Sequence, residues 1–454
     1  MRQRQRFFAF CLSFIIPLSL LTGCGGQKKT VTAVEEPEQT VELTPTPAPT
    51  PTPAPTVAPL TELSEEETIL DGKGVYPYLL PCMDDSSIRI RWCGTWTGEG
   101  YVVVYGEDEE TVRGGHGTSV TAGSVEAHTL WNYPYPVVYE ARLPVEPSTM
   151  YTYGICHPGE IPETLYAFRT PDTDRLTTAF VSDSHLVNTD HARIMESTLE
   201  AALGTALSRD EGLDLICHLG DIIDVPDTSP GLFVTYADAL RSIPVSAICG
   251  NHDGQGNVYG WFPMDGINSS LLDYWYIRSG VLFVGLNAAD ERYENHANYL
   301  RLAVENAGEH TWTVVMLHYA MRSNGEHAND RQCIGFRNAL EPVMSELDVD
   351  LVIAGHDHEY DRSVLVNTDG PVENGDGTEL VKQPGDLLYV VIPCATGVKY
   401  YKNAREPEYP IVAEGMEREY GFALAEFSEE ELCLGIYRTA DGARLDEITL
   451  RRAE

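Results

Sequence analysis

The sequence predicts an α/β fold preceded by a smaller all-β domain. From about residue 175 onward, short apolar runs alternate with segments of helical periodicity, a pattern typical of layered α/β domains. Between about residues 72 and 172, period-two alternation is interrupted by turns that contain Gly or Pro, which is typical of antiparallel strands. Metal-binding residue types follow most of the apolar runs in the second region. A chain of 454 residues is long enough for two or three such domains.

Residues 1–23 are typical of a processing signal. Three of the first six residues are Arg, and the apolar run over 7–21 is short and is interrupted by Pro17. The Leu-Thr-Gly-Cys sequence that ends at Cys24 resembles a bacterial lipoprotein cleavage box. This resemblance implies removal of residues 1–23 and a lipid on Cys24, which would anchor the protein to the outer face of the bacterial cell membrane. An ordinary secretory signal followed by a chance Cys is the weaker alternative.

Residues 24–70 are predicted to be a disordered tether. The segment has no hydrophobic periodicity, and seven Pro lie between Pro45 and Pro59. Such a tract favours an extended polyproline-like conformation and cannot form a core. It reads as a spacer that holds the folded part away from the membrane.

The net charge of −38 limits the partners that the protein can bind. A surface this acidic repels polyanions, so nucleic-acid binding by charge is excluded as a main function. We expect membrane contact only through the lipid on Cys24, a small phosphate-ester substrate for the reasons given below, and no obligate protein partner.

The ten cysteines leave disulfide pairing open. Outside the cytoplasm disulfides are permitted, and Cys82, Cys93 and Cys156 could pair within the all-β domain in a combination that the sequence does not fix. Because no C-x-x-C pair occurs, a cysteine-based zinc site is not expected.

Residues 71–173 form the predicted all-β domain. Its strands are expected at 87–92, 101–106, 137–143 and 150–154, followed by an apolar segment near 166–171. The order of residues over 142–153 and 166–171 resembles a fibronectin type III-like sandwich. A rigid platform is a better interpretation of this domain than an adhesion module.

Residues 174–454 form the predicted α/β domain. Strands are expected at 176–181, 213–219, 245–249, 281–286, 314–317, 349–354 and 387–393, with helices at 190–207, 232–243 and 334–347. Three closing antiparallel strands are expected at 421–427, 432–438 and 448–452. The sheet should be mostly parallel, because several of these runs are apolar throughout.

Five of the predicted strands end in metal-binding residue types. Residues just past the carboxyl ends of parallel strands lie where open α/β sheets bind ligands. Asp, His and Asn together suit borderline divalent metals or iron. A single such motif would be a turn or a cap, but five in order predict a metal site with ligands enough for two ions. The motifs are Asp183-Ser184-His185, Gly220-Asp221-Ile222-Ile223-Asp224, Gly250-Asn251-His252-Asp253, His318, and Gly355-His356-Asp357-His358.

This ordered set resembles the calcineurin-like metallophosphoesterase superfamily. The all-β domain and the segment over 355–363 are most similar to its purple acid phosphatase branch, and the resemblance covers about residues 75–450. It implies a four-layer α/β/β/α sandwich for the catalytic domain, preceded by a fibronectin III-like sandwich, and hydrolysis of phosphate esters by a metal-bound hydroxide. The two ions would be Fe, Mn or Zn.

The resemblance also implies a role for each motif residue. The first ion would be bound by Asp183, His185, Asp221 and His358, and Asp221 would bridge to a second ion completed by Asn251, His318 and His356. His252 would face the substrate phosphate as the catalytic group, with Asp253 orienting its ring. Apart from the resemblance, His327, on the loop after His318, is a candidate for a further phosphate contact.

One position departs from the purple acid phosphatase pattern. Where that branch has an iron-binding Tyr, this sequence has Asp224, so the protein should not be purple and Asp224 should support the site without binding a metal. The motifs assign no specific role to several other residues. Arg322, Arg331, Lys399 and Lys402 are basic residues in loops near the motifs, for which a surface role is favoured. His218 is expected in the core, and an aromatic group, Tyr259, Trp261 and Phe262, could line the site or pack in a loop.

The sequence therefore predicts a phosphomonoesterase. A phosphodiesterase or nucleotide hydrolase with the same site is the first alternative, because a dinuclear site serves both reactions. A surface binding protein with a vestigial metal site is the second, and the presence of all seven expected ligands argues against it.

Overall fold

A computed structural model describes residues 76–94, 100–126, 137–209, 212–226, 228–373, 375–401, 411–416 and 418–453. The predicted signal peptide, Cys24, the predicted tether and Lys402 lie outside these residues. Among the helices within these ranges, none is long and apolar enough to cross a membrane.

The first part of the described chain is β-rich. It contains two four-stranded antiparallel sheets that share one core, in which Trp92 stacks on Tyr139 with ring centroids 5.6 Å apart. Sheet 1 has the order Tyr78–Pro81, Ser87–Gly94, Val137–Pro144, Gly123–Glu126, and sheet 2 has the order Thr118–Thr121, Val102–Gly106, Met150–Cys156, Leu165–Arg169. A short helix, Glu109–Arg113, follows Val102–Gly106.

The second part contains two seven-stranded sheets. Sheet 3 has the order Val245–Ala247, Leu215–His218, Leu176–Val181, Gly421–Phe427, Glu431–Arg438, Arg444–Arg452, Glu379–Lys382. Sheet 4 has the order Tyr274–Arg278, Val281–Leu286, Trp312–Leu317, Leu351–Ala354, Leu388–Val391, Tyr360–Ser363, Ile411–Gly415. The first three strands of sheet 3 and strands two to five of sheet 4 are parallel, and the closing strands of sheet 3 pair antiparallel as predicted. A small hairpin pairs Val366–Asn367 with Gly370–Pro371.

The two large sheets pack face to face between two layers of helices. Phe283 of sheet 4 contacts Phe180 and Phe427 of sheet 3, with ring centroids 6.5 and 6.1 Å apart, and these rings fill the space between the sheets. On the outer face of sheet 4, two helices pack on each other and on Val281–Leu286. The predicted four-layer α/β/β/α sandwich is confirmed. The helices are Thr189–Ser208, Gly231–Tyr236, the 3₁₀ turn Asp238–Arg241, Gln255–Trp261, Tyr293–Ala307 and Arg331–Glu346.

Two helical segments differ from the sequence prediction. The predicted helix over 232–243 is two short pieces, because Ala237 leaves helical geometry with a ψ of 87°. The helix Tyr293–Ala307 was not predicted, although its buried residues recur at helical spacing: His296, Ala297, Tyr299, Leu300 and Ala303. By contrast, Thr189–Ser208 begins where predicted, with the Asn188 side chain capping the backbone N–H of His191.

No disulfide forms within the described part of the chain, where each of the eight cysteines is a free thiol. The pairing considered for Cys82, Cys93 and Cys156 is therefore absent. All three side chains are buried in the β-rich part, where they serve as small apolar residues.

Polar contacts, two of them buried, join the β-rich part to the α/β part. The Tyr78 hydroxyl donates to the Trp261 carbonyl at 2.7 Å, the Tyr153 hydroxyl donates to the Arg241 carbonyl at 2.8 Å, and Arg142 pairs with both oxygens of Asp265. The aromatic group Tyr259, Trp261 and Phe262 is buried at this junction. Of the two readings left open for these rings, packing is the correct one.

Candidate metal centre

The expected ligands lie at the carboxyl ends of strands from both large sheets. Asp183 and His185 follow Leu176–Val181, and Asp221 follows Leu215–His218, all in sheet 3. His318 follows Trp312–Leu317, and the pair His356 and His358 follows Leu351–Ala354, all in sheet 4. Because parallel strands end at one edge of a sheet, the topology brings the five motifs together.

The backbone is strained at these residues. Asp183, His185, Asp221, His356 and His358 have φ values of 53°, 45°, 52°, 75° and 59°, in the left-handed region that side chains other than Gly seldom adopt. Each such residue costs roughly 1–3 kcal/mol and persists only where the surrounding structure fixes it. Five strained residues in one cluster mark a site at which geometry has been kept at the expense of stability.

Two glycines allow the carboxylates to approach the backbone. A Cβ at Gly250 would overlap Asp221 Oδ1, and one at Gly355 would overlap Ser182 Oγ and Asp183 Oδ2. The motif glycines are therefore needed for space, since a side chain at either position would displace an expected ligand.

Asp183 and Asp221 each use one carboxylate oxygen to accept a backbone hydrogen bond and direct the other oxygen into the cluster. Asp183 Oδ2 accepts from the His356 backbone N–H at 2.9 Å, and Asp221 Oδ1 accepts from the His252 backbone N–H at 2.8 Å. The remaining oxygens face imidazoles: Asp183 Oδ1 lies 3.3 Å from His358 Nε2, and Asp221 Oδ2 lies 3.4 Å from His318 Nε2. Asp221 Oδ2 is also 3.7 Å from His185 Nε2, so Asp221 lies between the two expected ligand sets.

The imidazoles are oriented by contacts at Nδ1. His318 Nδ1 lies 2.9 Å from the Leu219 carbonyl, His358 Nδ1 lies 2.9 Å from the Lys399 carbonyl, and His185 Nδ1 lies 3.1 Å from Asp224 Oδ1. For His318 and His358 the carbonyl acceptor at Nδ1 favours a proton on that nitrogen and leaves the Nε2 lone pair directed into the site, whereas the contact of His185 with Asp224 is electrostatic. This is the arrangement that metal-binding histidines adopt.

The electrostatics of the centre favour a cation. Burial opposes ionisation of both carboxylates, yet the neighbouring His358 holds the pKa of Asp183 well below its usual value. Burial likewise disfavours a charged His318, yet the charge of Asp221 raises the pKa of His318 to about 10. The two carboxylates are therefore ionised. The negative charge that they place in the buried cluster favours the binding of a cation.

Oxygen and nitrogen donors gather in two overlapping groups. Asp183, His185 and His358 bring one ligand atom each within 4.8 Å of one another, and so do Asp183, Asp221 and His318. Asn251 Oδ1 lies 3.0 Å from His318 Nε2, and the buried His356 Nε2 has no hydrogen-bond partner. This donor set fits borderline divalent metals or iron, as expected from the sequence.

His356 also joins a neighbouring group. Its ring centroid lies 5.1 Å from that of His318 and 4.7 Å from that of His327, and His327 Nδ1 lies 2.9 Å from Asp330 Oδ2. Tyr401 packs against the His327 ring at 4.6 Å. His327 therefore lies beside the cluster, where a substrate contact is expected.

His252 lies on the open side of the cluster. Its side chain is 29% exposed, whereas those of Asp183, His185 and His318 are fully buried.

The prediction that Asp253 orients the His252 ring is wrong: the Asp253 carboxylate accepts from the backbone N–H groups of Gly250 and Ile223. The His252 ring is instead held by Asp224, whose carbonyl lies 2.7 Å from Nδ1. Asp253 is short and sits next to a tight turn, so its carboxylate reaches the backbone more readily than the ring.

Lys399 is the site residue that the sequence analysis undervalued. Its Nζ lies 2.5 Å from Asp224 Oδ1 and 3.3 Å from His252 Nε2. It follows Leu388–Val391, a parallel strand of sheet 4, and that position is the signal that could have identified it. Arg322 and Arg331 lie elsewhere, paired with Glu341 and Glu291, while His218 is buried and bonded to Ser184 as a core residue.

The comparisons with known proteins agree with this architecture. Residues 176–360 match the family model described as calcineurin-like phosphoesterase. An uncharacterized protein of Mycobacterium tuberculosis is 24% identical over 294 residues, which are 54% of this chain and 55% of the relative. The chain thus spans about half the length of that relative.

Two solved structures share the fold. Purple acid phosphatase PPD1 from yellow lupin (Lupinus luteus) seeds superposes with a TM-score of 0.70 at 15% identity, covering 83% of this chain and 74% of that one. A structure of PhoD superposes with a TM-score of 0.53 at 12% identity, covering 84% of this chain and 95% of that one. The shared fold includes both the β-rich part and the large sandwich.

Proposed function

We propose, from the premise that residues 176–360 form a calcineurin-like phosphoesterase domain, that this protein is a metal-dependent hydrolase of small phosphate monoesters. The observation that carries the proposal is the convergence of inward-facing carboxylate oxygens and Nε2 atoms from five strand ends. Two bound ions would supply Lewis acidity and a nucleophilic water at neutral pH. A dinuclear centre serves in-line displacement at phosphorus because two ions can stabilise both the attacking and the leaving oxygen.

The chain's own residues divide the remaining work. Asp221 is placed to contact both ions because its Oδ2 faces His185 on one side and His318 on the other. His252 faces the open side, where its protonated form can stabilise charge on the transferred phosphoryl group or protonate the leaving oxygen. His327, beside His356, supports a second contact to the phosphoryl oxygens.

The cellular location is part of the proposal. The lipoprotein-like sequence before Cys24 and the Pro-rich tether support a lipid-anchored enzyme on the outer face of a bacterial membrane. A net charge of −38 supports small ester substrates over nucleic acids, since a polyanion would be repelled.

The test combines metal analysis of the purified full-length protein with hydrolysis of p-nitrophenyl phosphate and bis-p-nitrophenyl phosphate. Two metals per chain and a preference for the monoester are expected. The variants Asn251→Ala and His356→Ala should lose turnover, while His116→Ala, which removes an exposed imidazole from the β-rich part, should not. A diester preference would instead indicate a phosphodiesterase, and a metal-free, inactive protein would indicate a binding function.

A further inference from the structure

Lys399 places a positive charge on the open side of the centre. In the part of the chain that the structure describes, it alone of the basic residues considered for the site reaches it, because Arg322 and Arg331 are paired with carboxylates elsewhere. Its side chain is 30% exposed, close to the values of 28% for Asp224 and 29% for His252. These three side chains form one group at the mouth of the centre, above the buried expected ligands.

The position of Lys399 is fixed by its backbone. Its carbonyl oxygen lies 2.9 Å from His358 Nδ1, so the residue that presents the ammonium group also orients an expected metal ligand. The side chain is therefore anchored at its base, and only its flexible end can adapt to a substrate.

The contacts of the Lys399 ammonium group leave one of its N–H donors for a substrate. The contact between His252 Nδ1 and the Asp224 carbonyl at 2.7 Å favours a proton on Nδ1, so Nε2 is an acceptor for the ammonium. Asp224 Oδ1 forms an ion pair with Nζ. An ammonium group has three N–H donors, so a third remains for an oxygen on the open side.

We propose that Lys399 binds a phosphoryl oxygen of the substrate and makes the site selective for dianionic phosphate monoesters over monoanionic diesters. This inference rests on the proposed function. A monoester carries one more negative charge than a diester, and a nearby ammonium group lowers the free energy of the more highly charged anion by a larger amount. The expected ligands bind the ions; Lys399 distinguishes the substrates.

The experiment compares the metal-loaded wild type with Lys399→Met and Lys399→Arg. Lys399→Met should lower kcat/KM for p-nitrophenyl phosphate by about 10- to 100-fold, mainly through KM, as expected for the loss of a charge-assisted hydrogen bond. Turnover of bis-p-nitrophenyl phosphate should fall far less. Lys399→Arg keeps the charge and should retain the monoester preference. Arg113→Met, which removes one exposed positive charge from the β-rich part, is the matched control.

Inorganic phosphate binding, measured by calorimetry on the same metal-loaded proteins, gives a readout that needs no turnover. Lys399→Met should weaken phosphate binding, while metal content stays at the wild-type value. Equal losses for monoester and diester, or a loss of metal, would assign Lys399 a structural role through Asp224 and His358 and overturn the inference. A wild type that binds phosphate but hydrolyses neither ester would refute the proposed function, and unchanged phosphate affinity in Lys399→Met would refute the inference.

Discussion

His185 and His358, which come from different sheets, bring their Nε2 atoms within 3.1 Å of each other. The Nδ1 atom of each ring faces an oxygen, Asp224 Oδ1 for His185 and the Lys399 carbonyl for His358. With protons on Nδ1, the two Nε2 lone pairs point at each other and at Asp183 Oδ1, an arrangement that is repulsive unless a cation lies between them. The centre is therefore arranged around a positive charge.

Metal loading should stabilise the fold. Adding Mn²⁺ or Zn²⁺ to chelator-treated protein at 100 times its Kd should raise the free energy of unfolding by about 2.7 kcal/mol for each ion bound, because the ion binds only the folded state. Thermal unfolding with and without the ion measures this effect. His185→Ala should abolish the response and His116→Ala should preserve it; a melting temperature that is insensitive to metal in the wild type would contradict the assignment.

Asp224→Ala should weaken the centre without removing an expected ligand. Asp224 contacts His185, His252 and Lys399, so its loss frees three side chains that surround the site. A residue that orients a metal ligand in this way is typically worth about 10–100-fold in metal affinity or activity. Metal titration and monoester kinetics on the variant test this prediction. A loss of metal affinity is expected, whereas unchanged affinity would show that Asp224 does not orient His185.

Gly250→Ala should disrupt the centre by steric overlap alone. The added Cβ would overlap Asp221 Oδ1, so either the carboxylate or the turn must move. We expect about 1–3 kcal/mol of destabilisation, as for other overpacked sites, together with a loss of metal binding. Urea unfolding and metal analysis provide the two readouts, and Gly256→Ala, at a position with open space, is the control. Full metal content in Gly250→Ala would show that Asp221 has room to shift.

Asp361 should make stability depend on pH. Burial, with smaller contributions from Asp357 and Glu414, raises its pKa from 3.8 to about 8. The folded protein therefore binds this proton more tightly than the unfolded chain, and the stability that the proton confers is present at low pH and is lost as the pH rises from about 4 towards 8. Asp361→Asn should remove this pH-dependent loss of stability. The melting temperature of the variant should therefore rise relative to that of the wild type as the pH is raised from 5 to 9. A constant difference would show that Asp361 is ionised in the folded protein.

The sequence predicted the layers and the candidate ligands because both follow from local pattern. An apolar run followed by Asp183 or His318 identifies a strand and its functional end together. The helix Tyr293–Ala307 was missed although Tyr299 and Leu300 lie on its buried side with Ala297 and Ala303, so the pattern was present in the sequence. The contacts of Asp253 and Lys399 could not be derived, since each depends on how a loop from one strand folds over the end of another. Side-chain partners across loops are set by tertiary packing, which spacing does not encode.

The two large sheets meet at the centre, and each expected ion would take ligands from both. Sheet 3 supplies Asp183, His185, Asp221 and Asn251, while sheet 4 supplies His318, His356 and His358. An ion held in this way acts as a further cross-link between the sheets, beside the hydrogen bonds that join His356 to Asp183 and His318 to the Leu219 carbonyl. Any change in their separation would alter the coordination of both ions at once, so the chemistry of the site and the mechanical integrity of the sandwich would be lost or kept together.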